Sequence, residues 1–425
     1  MRKLINYRNI FFPAVIILIA GTLGGFLAST AILVLILMFS KKNVLELLLV
    51  LLIFTFFLGD SLNGPFVFVQ NFRFAMVLVC SLYLLKYNLF KNNNANYIIP
   101  FTIVAFCITI LFSPVGISAV LRSFGFWLVG LLIFKIVNLL FMKNSKRTSE
   151  LLAFTVIIYL AINIILMFLP SELTYLLGRF RGLAGNPNGL ALILIFSYAL
   201  LSLLEKRKET TFKKGFFLTF KVAIFFVIFY TGSRTSLLSL IAFEFLLWYR
   251  KYSVLTFVMI SVLFFFFTFF IDTDFLNNSQ NISFLRYDSL MNASGRVEVW
   301  PVAWEEVENA PFFGNGFLYD NYFIKDYVLT NIGEYVPRHW SGVWNSYLSL
   351  LLNVGFIGLI AYAYFFIQFF RKSHYKNLAI AFVTLCLLSA VTESWMAASM
   401  NPFTPMMFLF WAIQSQPAAN IKSRL

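Results

Sequence analysis

Apolar runs of bilayer length recur along this chain, and that repetition limits its fold more than any other feature. They fall near 44–59, 66–85, 97–112, 119–141, 151–169, 187–204, 215–231, 235–250, 253–271, 343–370, 375–391 and 403–414. A hydrocarbon core about 30 Å thick takes roughly 20 helical residues to cross, so the shorter runs must tilt or borrow flanking residues. Residues 10–39 form one more run. Its Gly21, Gly24 and Gly25 allow either a turn between two short helices, giving 14 spans, or one long tilted helix, giving 13. Lipid offers no partner to a bare peptide group, so the spans must be helical. The expected fold is an all-α polytopic membrane protein of about 12–14 helices. It divides into a transmembrane bundle over 1–271, a long, partly helical loop over 272–342, and closing helices with a short tail over 343–425.

Composition agrees. Apolar types make up 60% of the chain and charged types 12%, whereas a soluble domain is about half apolar and a quarter charged. Mean hydropathy is +0.83. Cys80, Cys107 and Cys386 lie inside apolar runs and offer no disulfide framework. With only His339 and His374 there is no His-rich metal site. The net charge of +15 is spread over short loops, so it indicates topology and not nucleic acid. The basic start (Arg2, Lys3, Arg8) and the Phe26-Leu27-Ala28-Ser29 stretch resemble a signal peptide, but the apolar run continues to Phe39 and reads as an uncleaved first span.

Charge sets the expected orientation. With 272–342 outside, 23 of the 33 Lys and Arg fall in loops or termini on the cytoplasmic side and nine fall on the other, Lys221 lying within a span. That follows the positive-inside rule of a bacterial inner membrane and places the polar chemistry on the periplasmic side. Eight of the nine outer cations are arginine, which forks onto phosphate or carboxylate as lysine does not. Pairing with the acids of the loop is the plain alternative, notably for Arg286 and Arg338.

Five outer constellations carry chemistry. Arg179 and Arg181 precede a glycine-rich turn, Gly182 to Asn188, in which Asn186 or Asn188 can cap an inward-running helix that starts near Pro187. Arginines beside the positive end of a helix make an anion site; arginines resting at lipid headgroups are the plain reading. Thr231-Gly232-Ser233-Arg234 repeats the pattern, with Ser233 as a cap and Arg234 at the edge of a span, where a cation is costly and function is the default. Arg296 leads to Trp300 and then to Gly314, Asn315 and Gly316, whose glycines allow backbone to approach a ligand. His339, the sole outer histidine, is a candidate general base or a surface residue with no role, and it precedes Trp344-Asn345-Ser346-Tyr347. Glu393 stands beside Trp395 as a counter-ion or a partner for a substrate hydroxyl. No P-loop, GxSxG or metal-ligand cluster is present.

In this order the segments resemble the O-antigen ligase and O-antigen polymerase superfamily over roughly 175–415. The matching pieces are Arg181 with Gly185-Asn186-Pro187-Asn188, Gly232-Ser233-Arg234, Arg296 with Trp300 and Gly314-Asn315-Gly316, Asn345-Ser346-Tyr347-Leu348 with Gly355 and Gly358, and Glu393. The resemblance implies a membrane glycosyltransferase that uses no metal, cofactor or nucleotide sugar. Its donor would be a glycan on undecaprenyl pyrophosphate, and a chain-length regulator is a possible partner. It implies polymerisation of repeat units into O-antigen, capsule or exopolysaccharide, or ligation of finished lipopolysaccharide chains to lipid A core. A lipid-linked glycan flippase is the non-enzymatic alternative. The resemblance carries Arg181, Arg234 and Arg296 over as pyrophosphate or transition-state contacts and leaves His339, Glu334 or Glu393 as the possible base. The expected catalytic residues are then Arg234, His339 and Glu393, and the expected substrate-binding residues Arg179, Arg181, Asn188, Ser233, Arg296 and Asn345. The chain departs from many relatives by carrying Trp344 where they have histidine before asparagine.

Overall fold

The computed structural model describes residues 7–39, 43–59, 61, 64–90, 94–169, 171–249, 296–331, 333, 338–396, 398 and 401–417. The run 253–271 and Arg286 lie outside the described residues, as do Glu334 and the side chains of Arg338 and His339. The helices are α1 (Arg8–Phe39), α2 (Val44–Leu58), α3 (Val69–Leu85), α4 (Ile99–Phe112), α5 (Ile117–Met167), α6 (Pro187–Arg207), α7 (Lys214–Thr231), α8 (Arg234–Trp248), α9 (Arg296–Asn309), α10 (Tyr319–Asn331), α11 (Ser346–Lys372), α12 (Lys376–Ala390) and α13 (Phe403–Gln414). The one sheet among the described residues is the antiparallel pair β1 (Tyr175–Leu176) and β2 (Arg179–Phe180). The expected all-α, multi-pass fold is what forms.

Two of the long helices are hairpins. In α1 the backbone leaves helical geometry at Gly24 and at Gly25 (φ +71°). Ser29 then donates to the Ile17 carbonyl at 2.8 Å. Twelve residues of straight helix would hold those groups about 18 Å apart, so the chain has turned back and the two-helix reading of 10–39 is the observed one. In α5 the break falls at Asn144 (φ −162°, ψ 92°), whose side chain accepts from the Arg147 N–H at 2.9 Å and so starts the second leg. Lys143, Lys146 and Arg147 surround that turn. Among the described residues six helices are long and apolar enough to cross a membrane, and four shorter apolar helices join them.

Helix α6 is the axle of the bundle. It is apolar on every face and buried along nearly its whole length, as an interior span should be. Asn186 caps it, accepting from Gly189 N–H at 2.8 Å, with Pro187 in the first turn. Replacing Asn186 by alanine removes that acceptor, and we expect a loss of about 1 kcal/mol; the melting temperature of purified protein measures it. At the far end Arg207 is buried against Glu209 (2.8 Å) and donates to the carbonyls of Ile413, Gln416 and Pro417. Nearby, Tyr7 donates to Glu150 at 2.8 Å and Arg147 pairs with Glu46 at 3.0 Å. The 21 residues of α6 span about 31 Å, one hydrocarbon thickness, between this layer and a second polar layer around Asn186.

Helix α11 is broken at Gly355 (φ +60°, ψ −168°). The break exposes peptide groups that lipid could not satisfy, and the segment after α9 fills them. Asn315 and Gly316 donate to the carbonyls of Leu352 and Asn353 at 2.9 and 2.8 Å, while Phe356 and Ile357 donate to Pro311 and Phe312 at 2.9 and 3.1 Å. Backbone meets backbone so closely that a Cβ on Gly314 would lie 2.7 Å from the Gly355 nitrogen. Gly314 and Gly316 therefore serve a close approach, as expected, but to another stretch of chain. Above this joint α9, α10 and the turn at 338–341 share an apolar core of Val299, Ala303, Val307, Ile324, Val328 and Trp340, closed by Leu351 and Leu352 of α11.

Candidate functional site

The second polar layer is built around the tripeptide Thr392-Glu393-Ser394, which follows α12 and interrupts an otherwise apolar stretch. The first turns of four helices converge on it. From α6, Asn188 donates to Glu393 Oε1 at 2.8 Å. From α8, Thr235 shares a 2.9 Å hydrogen bond with Thr392. From α9, Arg296 donates to the Thr392 carbonyl at 2.8 Å and lies 3.7 Å from Glu393 Oε1. From α11, Ser346 donates to the Glu393 carbonyl at 2.6 Å, and the Asn345 N–H donates to Ser394 Oγ at 2.9 Å. Each helix start adds positive potential from its unpaired N–H groups.

Cations surround the single carboxylate. Arg179 Nη2 donates to Asn188 Oδ1 at 2.7 Å, and its Nε donates to the Thr231 carbonyl at 2.8 Å. Asn188 thus bridges Arg179 and Glu393, and only one orientation of its amide serves, with oxygen toward the cation and nitrogen toward the carboxylate. The path Arg179–Asn188–Glu393–Arg296 holds two guanidinium groups to one carboxylate. Arg296 and Glu393 are 16% and 12% exposed, so their interaction is little screened. Burial pulls the Arg296 guanidinium below its ordinary pKa and Glu393 pulls it back. Arg234 opens α8 one residue before Thr235, which brings a third arginine to the same layer.

Among the residues expected to form the site, the structure joins Arg179, Asn188, Arg296 and Glu393 in one network and sets the Asn345 N–H on the adjoining Ser394 hydroxyl. Others are placed differently. Arg181 is buried with its three nitrogens on the carbonyls of Glu172, Leu173 and Gly185, so its guanidinium ties a loop together. Ser233 occupies the position before α8, but its hydroxyl goes to Ser236 at 3.0 Å and caps no N–H. Asn345 caps α11 by accepting from Tyr347 and Leu348, and Trp344 before it adopts φ +52°. The catalytic assignment of His339 falls on a side chain outside those described. Thr235, Thr392 and Ser394 were not singled out from sequence. The polar triplet at 392–394 inside an apolar run was the available signal.

Residues 219–363 match the family model described as O-antigen ligase. The matched region runs from α7 through α8 and α9 to the broken helix α11, so it contains Arg234, Arg296 and Asn345. Over that region the chain is similar to the O-antigen ligase and polymerase superfamily. Members of that family process glycans. No curated protein matches the chain.

Proposed function

We propose that this protein is a polysaccharide polymerase that joins lipid-linked repeat units on the outer face of the bacterial inner membrane. The observation that carries the reading is the convergence of four helix starts on Thr392-Glu393-Ser394, with Arg296 beside the Glu393 carboxylate and Arg179 joined to it through Asn188. The cluster has surplus positive charge and suits a diphosphate. The lysines gathered at the opposite helix ends support the orientation.

In the proposed reaction, undecaprenyl pyrophosphate leaves the anomeric carbon of the growing chain. The C–O bond to pyrophosphate breaks as a hydroxyl of the next unit attacks. The negative charge that develops on the leaving oxygens is met by Arg296, Arg179 and Arg234. A diphosphate beside Arg296 competes with Glu393 for that guanidinium, and the carboxylate released accepts the hydroxyl proton. His339 is the second candidate for that proton. No metal or nucleotide enters the scheme, so elongation is expected to persist in EDTA.

The test is glycan length on a gel. Arg296→Ala and Arg234→Ala are expected to leave single repeat units, while Arg181→Ala lowers the amount of folded protein and shortens ladders only in proportion. Full ladders from Arg296→Ala and Arg234→Ala at normal protein levels contradict the reading. The description of the matched family favours a second reading, ligation of finished chains to lipid A core. A deletion strain separates the two: single-repeat glycan marks a lost polymerase, and accumulated long lipid-linked chains mark a lost ligase.

A further inference from the structure

Asp320, in the first turn of α10, is a buried acid that no lysine or arginine pairs with among the described residues. Its carboxyl is bonded by the side chains of Ser349, Asn353 and Asn321, and its own N–H donates to Asn353 Oδ1 at 3.1 Å. Burial pushes its pKa up. A carboxylate in the first turn gains from the helix dipole, but an acid facing water would gain the same without desolvation. The position has a different consequence. Ser349 Oγ also shares a 3.0 Å hydrogen bond with Ser394 Oγ, and Ser394 adjoins Glu393. Ser349 and Asn353 both belong to the half of α11 before the Gly355 break, and the Asn353 carbonyl receives Gly316 N–H. Asp320 therefore ties the cap helix to the half-helix and, through one serine, to the backbone that carries the central carboxylate.

We propose that Asp320 is a positioning residue for the reaction centre, holding residues 346–354 in the register that sets Ser394 against Asn345 and Glu393 against Asn188 and Arg296. This rests on the reading of Glu393 as the reacting carboxylate. The test compares Asp320→Ala, Asp320→Asn and Ser349→Ala in the purified full chain, with the exposed Asp326→Ala as control. Hydrogen–deuterium exchange over 391–398 is expected to rise about threefold or more in Asp320→Ala and in Ser349→Ala, and to stay unchanged in the control. Elongation of a lipid-linked repeat unit, per mole of folded protein, should lose about tenfold in kcat with KM within about twofold, and Asp320→Asn should recover most of it. A residue that only stabilises the fold would lower yield and leave kcat per folded mole alone. Exchange is measurable whether or not the chain elongates glycan, so a failed functional reading is seen separately. Unchanged exchange at 391–398 in all three variants overturns the proposal, as does raised exchange with unaltered kcat. Should Asp320→Ala not fold, Ser349→Ala carries the same comparison.

Discussion

Glu393→Gln is expected to slow chain elongation severely while the protein remains folded. The amide keeps the size of the carboxylate and an oxygen for Asn188 to bond, so the 392–394 segment holds its place. It loses the charge that faces Arg296 at 3.7 Å and the capacity to accept a proton. General-base catalysis contributes typically 10²–10⁴-fold, so turnover is expected to fall by about 100-fold or more. Glu393→Asp also fails, because one methylene less withdraws the carboxylate from the two partners that α6 and α9 present. Both variants are read as rate of elongation per mole of folded protein. Normal rates in Glu393→Gln leave the carboxylate a structural counter-ion only.

Gly355→Ala prevents folding of the bundle around α11. The backbone there lies at φ +60° and ψ −168°, a region open essentially to glycine. A Cβ would stand 2.4 Å from the Phe312 carbonyl carbon and oxygen, which are backbone atoms of the docked segment and cannot step aside. Losing the joint would strand the four backbone hydrogen bonds that span the break. Backbone strain alone amounts to about 1–3 kcal/mol, and the collision adds to it, so the expected loss is at least about 3 kcal/mol. Size-exclusion profiles and melting of detergent-purified protein measure this. Gly215→Ala is the control: it lies near the start of α7 with open space where the methyl would go. A Gly355→Ala protein that melts like Gly215→Ala contradicts the joint.

These two residues mark what the sequence makes readable. Length and hydropathy define most spans because lipid forces every one of them to be an apolar helix. The turn inside α5 is legible from Lys143, Lys146 and Arg147, whereas the turn inside α1 rests on glycines that serve equally in a long tilted helix. Glu393 is legible because an acid among apolar residues needs a reason. The pairing of 311–316 with 352–357 is not, since glycine reports only that backbone must come close and never to what. Arg179 and Arg181 are two residues apart in one outer loop and look alike in sequence. Only the fold shows one donating toward Asn188 and the other closed onto carbonyls. Asn186 and Asn188 are similarly matched as caps until the helix start is fixed at Pro187, which leaves Asn188 for Glu393.

The most direct measurement is made on purified protein mixed with one defined undecaprenyl-pyrophosphate-linked repeat unit in EDTA, with products sized by mass spectrometry. The account predicts a ladder of dimers, trimers and longer chains from the unaltered protein and unchanged monomer from Arg296→Ala. A ladder of equal length from Arg296→Ala, folded and at equal concentration, would contradict it.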